Sequence, residues 1–277
     1  MRQHPTIKPR RPDFKLREVP RYWQSGDPVA THLSNALFML FPAGERFFIR
    51  SVRRYESRYR DDPARMKELR GFYGQEGAHA AVHDEAIRIL EEQGYQVRDH
   101  LDRFEKVCFE FLEKRLPDVL ALSATAATEH FTALMARNAF DNPVFTEEAH
   151  PEMRKFMLWH AAEEIEHKAV AYDVLQDVNP SWLVRAAGML IAASALVYFW
   201  RQGIRTLLRQ DGISAREARE RIQALRQRSN HDFMRDVLLK GILEYLRPDF
   251  HPWQVDDLHK AESFLASLET SPAPASA

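Results

Sequence analysis

The sequence predicts an all-α protein. Apolar residues recur at helical spacing through several long segments, and no stretch alternates apolar and polar residues as a strand does. The 277-residue chain holds only 10 glycines and is rich in Ala, Leu, Arg and Glu, which favour helices. Prolines and short Asp- or Asn-containing turns separate the periodic segments, where helices begin or end. Together these observations favour a bundle of long helices over any fold that contains a sheet.

The first element is an N-terminal arm over residues 1–24. This segment is rich in charges and prolines, whereas a secretory signal would carry an apolar core. We therefore expect it to lie extended on the surface of the protein.

Residues that start or stop helices divide the rest of the chain. Pro42 lies inside the first periodic segment and predicts a kink there or the true start of a helix. Gly94 is typical of the residue that follows a helix. The predicted helices are about 28–60, 63–93, 101–116, 118–140, 151–178, 181–210, 214–229 and 232–246.

Residues 186–200 form a long uncharged stretch between two arginines. A membrane span needs about 20 apolar residues, so this stretch is short for one. Trp182 and Trp200 nevertheless resemble the aromatic anchors of a membrane interface. The sequence favours a helix in the core or at a homodimer interface, and peripheral membrane contact through residues 182–200 is the alternative.

Composition excludes several classes of function. The 39 basic and 40 acidic residues give a formal net charge of −1, which provides no global field to attract nucleic acid. We therefore expect no nucleic-acid partner. The single cysteine, Cys108, excludes an intramolecular disulfide and a cysteine-bound zinc or iron–sulfur site. This cysteine usage favours a reducing compartment, and we expect the protein in the cytoplasm or associated with a membrane.

Two predicted helices each contain a Glu-x-x-His motif, and two others each carry a glutamate among apolar residues. The i,i+3 spacing of the motif places a carboxylate and an imidazole on one face of a helix. A carboxylate-bridged dimetal site in a helical bundle takes one Glu from each of two helices and Glu-x-x-His from each of the other two. The predicted metal ligands, in chain order, are Glu45, Glu76, His79, Glu129, Glu164 and His167.

The charges of this set agree with a dimetal site. Four carboxylates balance two divalent cations, and neutral imidazoles add no charge, so a dry core could hold the cluster. Carboxylate and imidazole ligands suit iron or manganese. We therefore expect two iron ions, with manganese as the alternative. A third Glu-x-x-His, Glu147…His150, precedes Pro151 outside the middle of a helix, and we interpret it as a chance match.

His160 is a predicted seventh ligand. At 100° per residue, Glu164 lies about 40° and His167 about −20° from His160 around the helix, so all three can point at one metal pair. A site with six ligands, without His160, remains the alternative.

Two neighbours of the predicted ligands, Glu163 and His83, have more than one possible role. Glu163 competes with Glu164, which we prefer because it repeats the spacing of the other motif. Glu163 would then contact a ligand or form a salt bridge. His83 lies seven residues after Glu76 on the same helix face. It could support a ligand, relay a proton or simply pack in the core.

At these residues the sequence resembles the ferritin-like diiron-carboxylate superfamily, and more closely a bacterial family of "predicted metal-dependent hydrolases". The resemblance covers roughly residues 25–210 and implies a ferritin-like helical bundle with extra C-terminal helices. It rests on four segments: FPAGERFF, FYGQEGAHAAVH, ATEHFTA and WHAAEEIEHKAVAYDV.

The ligand order is also similar to that of p-aminobenzoate N-oxygenase-type diiron enzymes. In that type an extra histidine completes a shell of three histidines and four carboxylates, and His160 stands in the matching position. The resemblance implies activation of O2 by a diferrous pair and oxidation of an amine or an apolar C–H bond.

We therefore predict an enzyme that activates O2 to oxidise or oxygenate a small apolar, aromatic or amine substrate. Its partners would be O2 and a small-molecule substrate, and it could also use an electron donor and form a homodimer. The alternative is a dimetal-dependent hydrolase that uses a metal-activated water. A non-catalytic metal bundle is a third reading, although no acidic run marks a surface for iron storage.

For the domain organisation, we expect a single helical domain over residues 25–266. Its metal-binding core would occupy about 28–178, and helices at about 181–266 would be appended to it. The last residues, 267–277, have the composition of a disordered tail.

Overall fold

The computed structural model describes residues 5–142, 147–229 and 232–270. Within these ranges the chain is helical and contains no β-strand; its one isolated β-bridge joins Gln24 and Ala149. The predicted all-α class is therefore confirmed. The last helix continues to Thr270, so the first four residues of the predicted tail are helical. The rest of that tail lies outside the described residues.

The helices follow the predicted order, with several boundaries moved. They are α1 (Pro28–Phe38), α2 (Phe41–Arg53), α3 (Pro63–Glu92), α4 (98–115), α5 (Asp118–Asp141), α6 (Pro151–His167), α7 (Val170–Val178), α8 (Trp182–Gln210), α9 (Ala215–Ser229), α10 (234–245) and α11 (Leu258–Thr270). Two of them contain a π-helical stretch, at Lys106–Leu112 in α4 and at Met234–Leu239 in α10.

Local sequence explains where several helices begin and end. Asp27 and Asp62 cap α1 and α3, and in each case a proline follows as the first helical residue. Pro42 marks a break between α1 and α2 rather than a kink within one helix. Gly94 follows α3 with a φ of 97°, a conformation that glycine adopts without strain. His150 caps α6, so the third Glu-x-x-His contributes to a helix start.

Four of these helices, α2, α3, α5 and α6, contact one another in a closed ring. The contacts join α2 to α3, α3 to α6, α6 to α5, and α5 back to α2. Outside the ring, α8 packs closely along α5. A Cβ at Gly188 in α8 would lie 2.1 Å from the Ser123 hydroxyl of α5, so only glycine permits this approach. The ring encloses the residues that form the site.

Helix α8 contains the apolar stretch at 186–200. One face of α8 is buried against α5 and α1, but Leu183 and Leu190 on the other face are 73% and 69% exposed. The expected core position therefore describes only one of its faces. Among the described residues, α8 is the one helix long and apolar enough to cross a membrane by length and composition, a test that core helices also pass.

The N-terminal arm contains a short 3₁₀ helix at Leu16–Glu18, and part of it is packed into the protein, whereas we expected it on the surface. Ile7 and Pro9 lie in a groove on α3 that is formed by two glycines. A Cβ at Gly71 would lie 2.6 Å from the Ile7 carbonyl oxygen, and one at Gly74 would lie 2.3 Å from Pro9. The two glycines therefore let the arm lie directly against the helix backbone.

Candidate metal centre

The ring of helices brings all the predicted ligands into one buried cluster. Helix α2 contributes Glu45, α3 contributes Glu76 and His79, α5 contributes Glu129, and α6 contributes His160, Glu164 and His167. None of these side chains is more than 8% exposed. Burying four carboxylates together is costly unless cations or protons compensate their charge.

One group within the cluster surrounds His167. Its Nε2 atom lies 2.9 Å from a carboxylate oxygen of Glu76, and 3.4 Å from oxygens of both Glu129 and Glu164. One ligand atom from each of the four residues lies within 4.8 Å of the other three. Three carboxylates and one imidazole could therefore share one cation.

A second group lies beside the first. Glu45, Glu76 and His79 have ligand atoms within 4.8 Å of one another, and so do His79, His160 and Glu164. Glu76 and Glu164 each take part in groups on both sides of the cluster. A carboxylate has two oxygens, so these two residues are placed to bridge a pair of cations.

Unpartnered polar atoms provide the strongest test of whether metals fit. Among the described residues, both carboxylate oxygens of Glu45, Glu76 and Glu129 are buried without a hydrogen-bond partner. The same holds for Glu164 Oε2, His79 Nδ1 and His167 Nε2. Buried polar groups are normally satisfied, so a concentration of orphan acceptors facing one another is a suitable site for cations. These donor atoms therefore fit two divalent metal ions.

The pKa shifts in the cluster also indicate negative charge that is not compensated. Burial raises the pKa of Glu45 well above its usual range, and it raises the pKa of Glu129 to about 8; the neighbouring carboxylates add to both shifts. Burial opposes protonation of His79, but Glu163, Glu164 and Glu76 raise its pKa to about 9. In the metal-free cluster, protons thus take positions that cations would otherwise hold.

His160 and His83 extend the cluster on the side of Glu45. His160 Nε2 lies 2.8 Å from Glu164 Oε1 and 3.6 Å from Glu45 Oε1. His83 Nε2 lies 2.9 Å from His160 Nδ1 and 4.0 Å from Glu45. His160 therefore sits among the predicted ligands, and His83 contacts His160 directly.

Glu163 does not compete with Glu164 for the cluster. It points to the outer side of His79, whose Nε2 lies 3.0 Å from Glu163 Oε2, while His79 Nδ1 faces the cluster. A carboxylate in this position fixes the orientation of the ring and makes the inward nitrogen more basic. This arrangement corresponds to the contact that we predicted for Glu163.

His167, the histidine of the second Glu-x-x-His motif, is also held in orientation by a side chain outside the cluster. His167 Nδ1 lies 2.9 Å from the Gln75 side-chain oxygen, and the Gln75 amide donates to Glu166 at 2.6 Å. Arg10 of the N-terminal arm then donates to Glu166 at 2.7 Å and to Glu163 at 3.2 Å. Both motif histidines are therefore connected to the guanidinium of Arg10.

Sequence reasoning missed Arg10, Gln75 and Glu166. Glu166 points away from the ligand face of α6, as its helical angle implies, yet it is only 6% exposed because the arm covers it. Arg10 is separated from Glu166 by 156 positions in the chain. Because these residues are so far apart in the chain, no motif or local spacing in the sequence could predict their contact.

An apolar cavity of about 80 Å³ lies next to the cluster. Gly44 and Thr128, the neighbours of Glu45 and Glu129 in sequence, line it, and Ile191 and Ala195 of α8 form another wall. Phe41 also lines the cavity, and its ring centroid lies 4.5 Å from that of His83 and 4.9 Å from that of His160. The Phe41 ring therefore contacts both the cavity and the imidazoles.

Comparison with known families gave one match. A family model described as "Predicted metal-dependent hydrolase" matches residues 8–256. The chain belongs to this family. The match extends beyond the 25–210 region and includes Arg10 as well as all the predicted ligands. No curated protein and no solved structure matched the chain.

Membership in the predicted metal-dependent hydrolase family agrees with the buried Glu and His clusters. Both observations support a metal-dependent enzyme. The family description fits hydrolysis better than the oxidation that we placed first from sequence. The ferritin-like and p-aminobenzoate N-oxygenase resemblances stay predictions.

Proposed function

We propose that this protein is a dimetal-dependent hydrolase that uses a metal-activated water. The observation that carries the proposal is the set of buried, unpartnered carboxylate oxygens and imidazole nitrogens at the centre of the helix ring. The family description supports hydrolysis as the reaction class. Two bound cations would lower the pKa of a water molecule and polarise the bond to be cleaved.

Each side chain of the cluster would bind one or both of the two ions. Glu76 and Glu164 would bridge the two ions, Glu129 and His167 would bind one of them, and Glu45, His79 and His160 the other. Iron is the metal we propose, with manganese as the alternative, because both accept mixed carboxylate and imidazole ligands. Glu163 and Gln75 would hold the motif histidines in orientation from outside the cluster.

His83 would orient a ligand rather than bind metal. Its Nε2 lies 2.9 Å from His160 Nδ1. With His160 Nε2 on a metal ion, His160 Nδ1 would carry the hydrogen and donate it to His83 Nε2, which would fix the orientation of the His160 ring. The cavity beyond Phe41 would take the apolar part of a substrate.

The test is hydrolysis of p-nitrophenyl esters and phosphates by protein loaded with iron or manganese. We expect ester cleavage that depends on metal, and a loss of more than about 100-fold in Glu76→Ala and Glu164→Ala. Elemental analysis should show that the same variants bind less metal. Glu85→Ala, on the same helix as Glu76 but outside the cluster, is the control. If the two ligand variants keep full metal content and activity, the site assignment is wrong.

Oxidation by O2 is a second candidate because aromatic rings enclose the imidazoles. The rings of Trp159 and Phe72 lie 4.9 Å and 5.1 Å from His79 and His167, and Phe41 lies against His160. Surroundings of this kind exclude water from the site, and a strong oxidant requires such a dry site. Iron-loaded protein, reduced without oxygen and then exposed to it, should consume O2 stoichiometrically under this reading. Rapid ester turnover without O2 consumption would favour hydrolysis.

A further inference from the structure

The exposed apolar side chains of this protein are concentrated on one part of its surface. Among the described residues, all eight large apolar side chains that are exposed belong to three segments, α4, α8 and α10. They are Phe111, Trp182, Leu183, Leu190, Tyr198, Met234, Leu239 and Leu243. Large apolar patches on a protein surface usually mark an interaction site.

The three segments lie side by side, with α8 in the middle. In α4, Phe104 packs on Phe199 at 4.9 Å, and the later residues of α4 line the cavity with Ile191, so the two helices run antiparallel. On the other side, Phe233 just before α10 packs on Trp200 at 4.5 Å. Trp182 then donates from Nε1 to the Leu246 carbonyl at 2.8 Å, so α10 also runs antiparallel to α8. We call the exposed side of these three segments the apolar face.

The apolar face has a basic end. Along α8 the exposed residues up to Tyr198 are apolar or small, and the same side of the helix then continues into three arginines. At 100° per residue, the exposed positions from Leu183 to Arg209 fall within a sector of about 100°. The arginines are Arg201, Arg205 and Arg209.

These arginines are not paired with acids, although acids lie nearby. Asp211 follows α8, and the exposed Asp99 and Asp102 lie at the start of α4, which packs against α8. None of the three arginines forms an ion pair in the part of the chain that the structure describes, and the polar contact of Arg205 is with the neutral side chain of Gln202. A basic cluster free of ion pairs beside an apolar surface is complementary to anionic lipid headgroups beside acyl chains.

Helix α8 cannot leave the protein to cross the bilayer without breaking buried contacts. Arg185, which is 4% exposed, donates to the Tyr172 hydroxyl and to the Arg247 carbonyl, and Trp200 donates to the Leu33 carbonyl. The helix is therefore held along one face, and only its outer face is free. This geometry fits a helix that lies on a membrane rather than one that spans it.

We propose that the apolar face docks on an anionic lipid bilayer, with Leu190 near its centre and the three arginines at the headgroups. The proposal goes beyond hydrolysis and does not depend on it, because docking requires no metal. If the proposed function also holds, the cavity walled by Ile191 and Ala195 of α8 lies just beneath the docked face. Substrates with an acyl or alkyl chain would then be the ones that reach the site.

The test is co-sedimentation of metal-loaded, full-length protein with vesicles. Vesicles of equal parts phosphatidylglycerol and phosphatidylcholine should bind the protein, and phosphatidylcholine alone should bind it much less. Arg201→Glu/Arg205→Glu should weaken binding to the anionic vesicles by about tenfold or more, because each basic residue near the surface contributes about 1 kcal/mol. Leu190→Glu should weaken it as well.

The matched control is Arg60→Glu/Arg70→Glu, which makes the same change in net charge at exposed positions before and on α3, a helix that packs mainly on α2. Equal losses in the two double variants would overturn the proposal, as would an absence of binding to anionic vesicles. A dimer that Leu190→Glu dissociates, seen by analytical ultracentrifugation without vesicle binding, would instead make the face an interface between copies of this chain. If Leu190→Glu does not fold, the two arginine variants still decide the question.

Discussion

At the scale of single residues, Arg10 connects the two halves of the candidate metal centre. Its guanidinium donates to Glu163, which contacts His79, and to Glu166, which is linked through Gln75 to His167. It therefore acts as a positioning residue that never touches the cluster. Supporting contacts of this kind usually change metal affinity or activity by about 10- to 100-fold.

We predict that Arg10→Ala weakens metal binding by about tenfold or more, since both motif histidines lose the charge that holds their supports. Competition with a chromophoric chelator measures this. Arg17→Ala is the matched control, because Arg17 is also an arm arginine with an ion pair, to Glu92, but has no connection to the histidines. Arg10→Lys should restore part of the affinity. Equal affinities in the Arg10→Ala and Arg17→Ala variants would remove the positioning role.

The residue scale also shows what the sequence could reveal. The four carboxylates and the histidines were predictable because Glu-x-x-His sets one helix face, and because a lone glutamate among apolar residues needs a partner. The spacing also favoured Glu164 over Glu163 as a ligand, and the structure places Glu163 on the outer side of His79. The role of Arg10 was not, because the arm has no periodicity and reaches α6 only through tertiary packing.

At the scale of elements, α8 has one face that lines the cavity and one that is exposed. Substitutions on the two faces can therefore test whether substrate binds in the cavity. Ala195 lines the cavity, whereas its neighbour Ser194 is exposed. We predict that Ala195→Trp fills the cavity and lowers kcat/KM for long-chain esters by about tenfold or more, with a smaller effect on acetate esters. Ser194→Trp, which adds the same ring one position away, should not. A chain-length series of p-nitrophenyl esters provides the measurement, and equal effects of the two variants would exclude the cavity as a substrate site.

A buried histidine at the contact between α5 and α10 should make the stability of the protein sensitive to acid. His130 on α5 lies 3.0 Å from the Gly241 carbonyl of α10, and burial lowers its pKa to about 4. The unfolded chain, with a histidine pKa of about 6.5, binds this proton more readily than the folded protein. The free energy of unfolding therefore falls as the pH drops from about 6.5 toward 4, by about 2 kcal/mol at pH 5.

Urea unfolding at about pH 7 and about pH 5 measures this effect. His130→Gln should lose less stability than the wild type between the two values, even if it is less stable at neutral pH. His259→Gln, at an exposed position on α11, should behave like the wild type. An unchanged pH dependence in His130→Gln would show that another group causes the acid sensitivity.

The elements also show the limits of periodicity. It correctly predicted a long helix over 181–210, but it could not assign the apolar stretch to core, interface or membrane. A helix in the core, at an interface or at a membrane can have the same apolar residues. Only the packing of α8 between α4 and α10 shows which face of α8 remains exposed. The kink predicted at Pro42 became a helix break for a similar reason, because a proline specifies where regular bonding stops but not how the chain continues.

At the scale of the whole molecule, the buried carboxylates make the fold depend on metal. When cations are removed, the four acids at the centre of the helix ring must either take up protons or repel one another. Binding of metal to the folded state alone would stabilise it by about 4 kcal/mol when free metal exceeds the dissociation constant about 1,000-fold. We therefore expect a chelator to lower the Tm substantially.

The same repulsion predicts an opposite effect for Glu129→Gln. Without metal, this variant should be more stable than the metal-free wild type by about 1–4 kcal/mol at neutral pH, because Glu129, whose pKa burial raises to about 8, must take up a proton on folding and glutamine need not. With metal, it should gain little, because a ligand is missing. Thermal unfolding of both proteins with and without chelator tests this, and Glu110→Gln at an exposed position of α4 is the control. A metal-free variant less stable than the metal-free wild type would contradict the expectation.

The groove that Gly71 and Gly74 open for the arm has a practical consequence. Proteolytic trimming of the first dozen residues would leave every ligand of the cluster intact. It would still remove the guanidinium that contacts Glu163 and Glu166. We expect a preparation shortened in this way to load metal poorly for reasons that lie outside the coordination sphere.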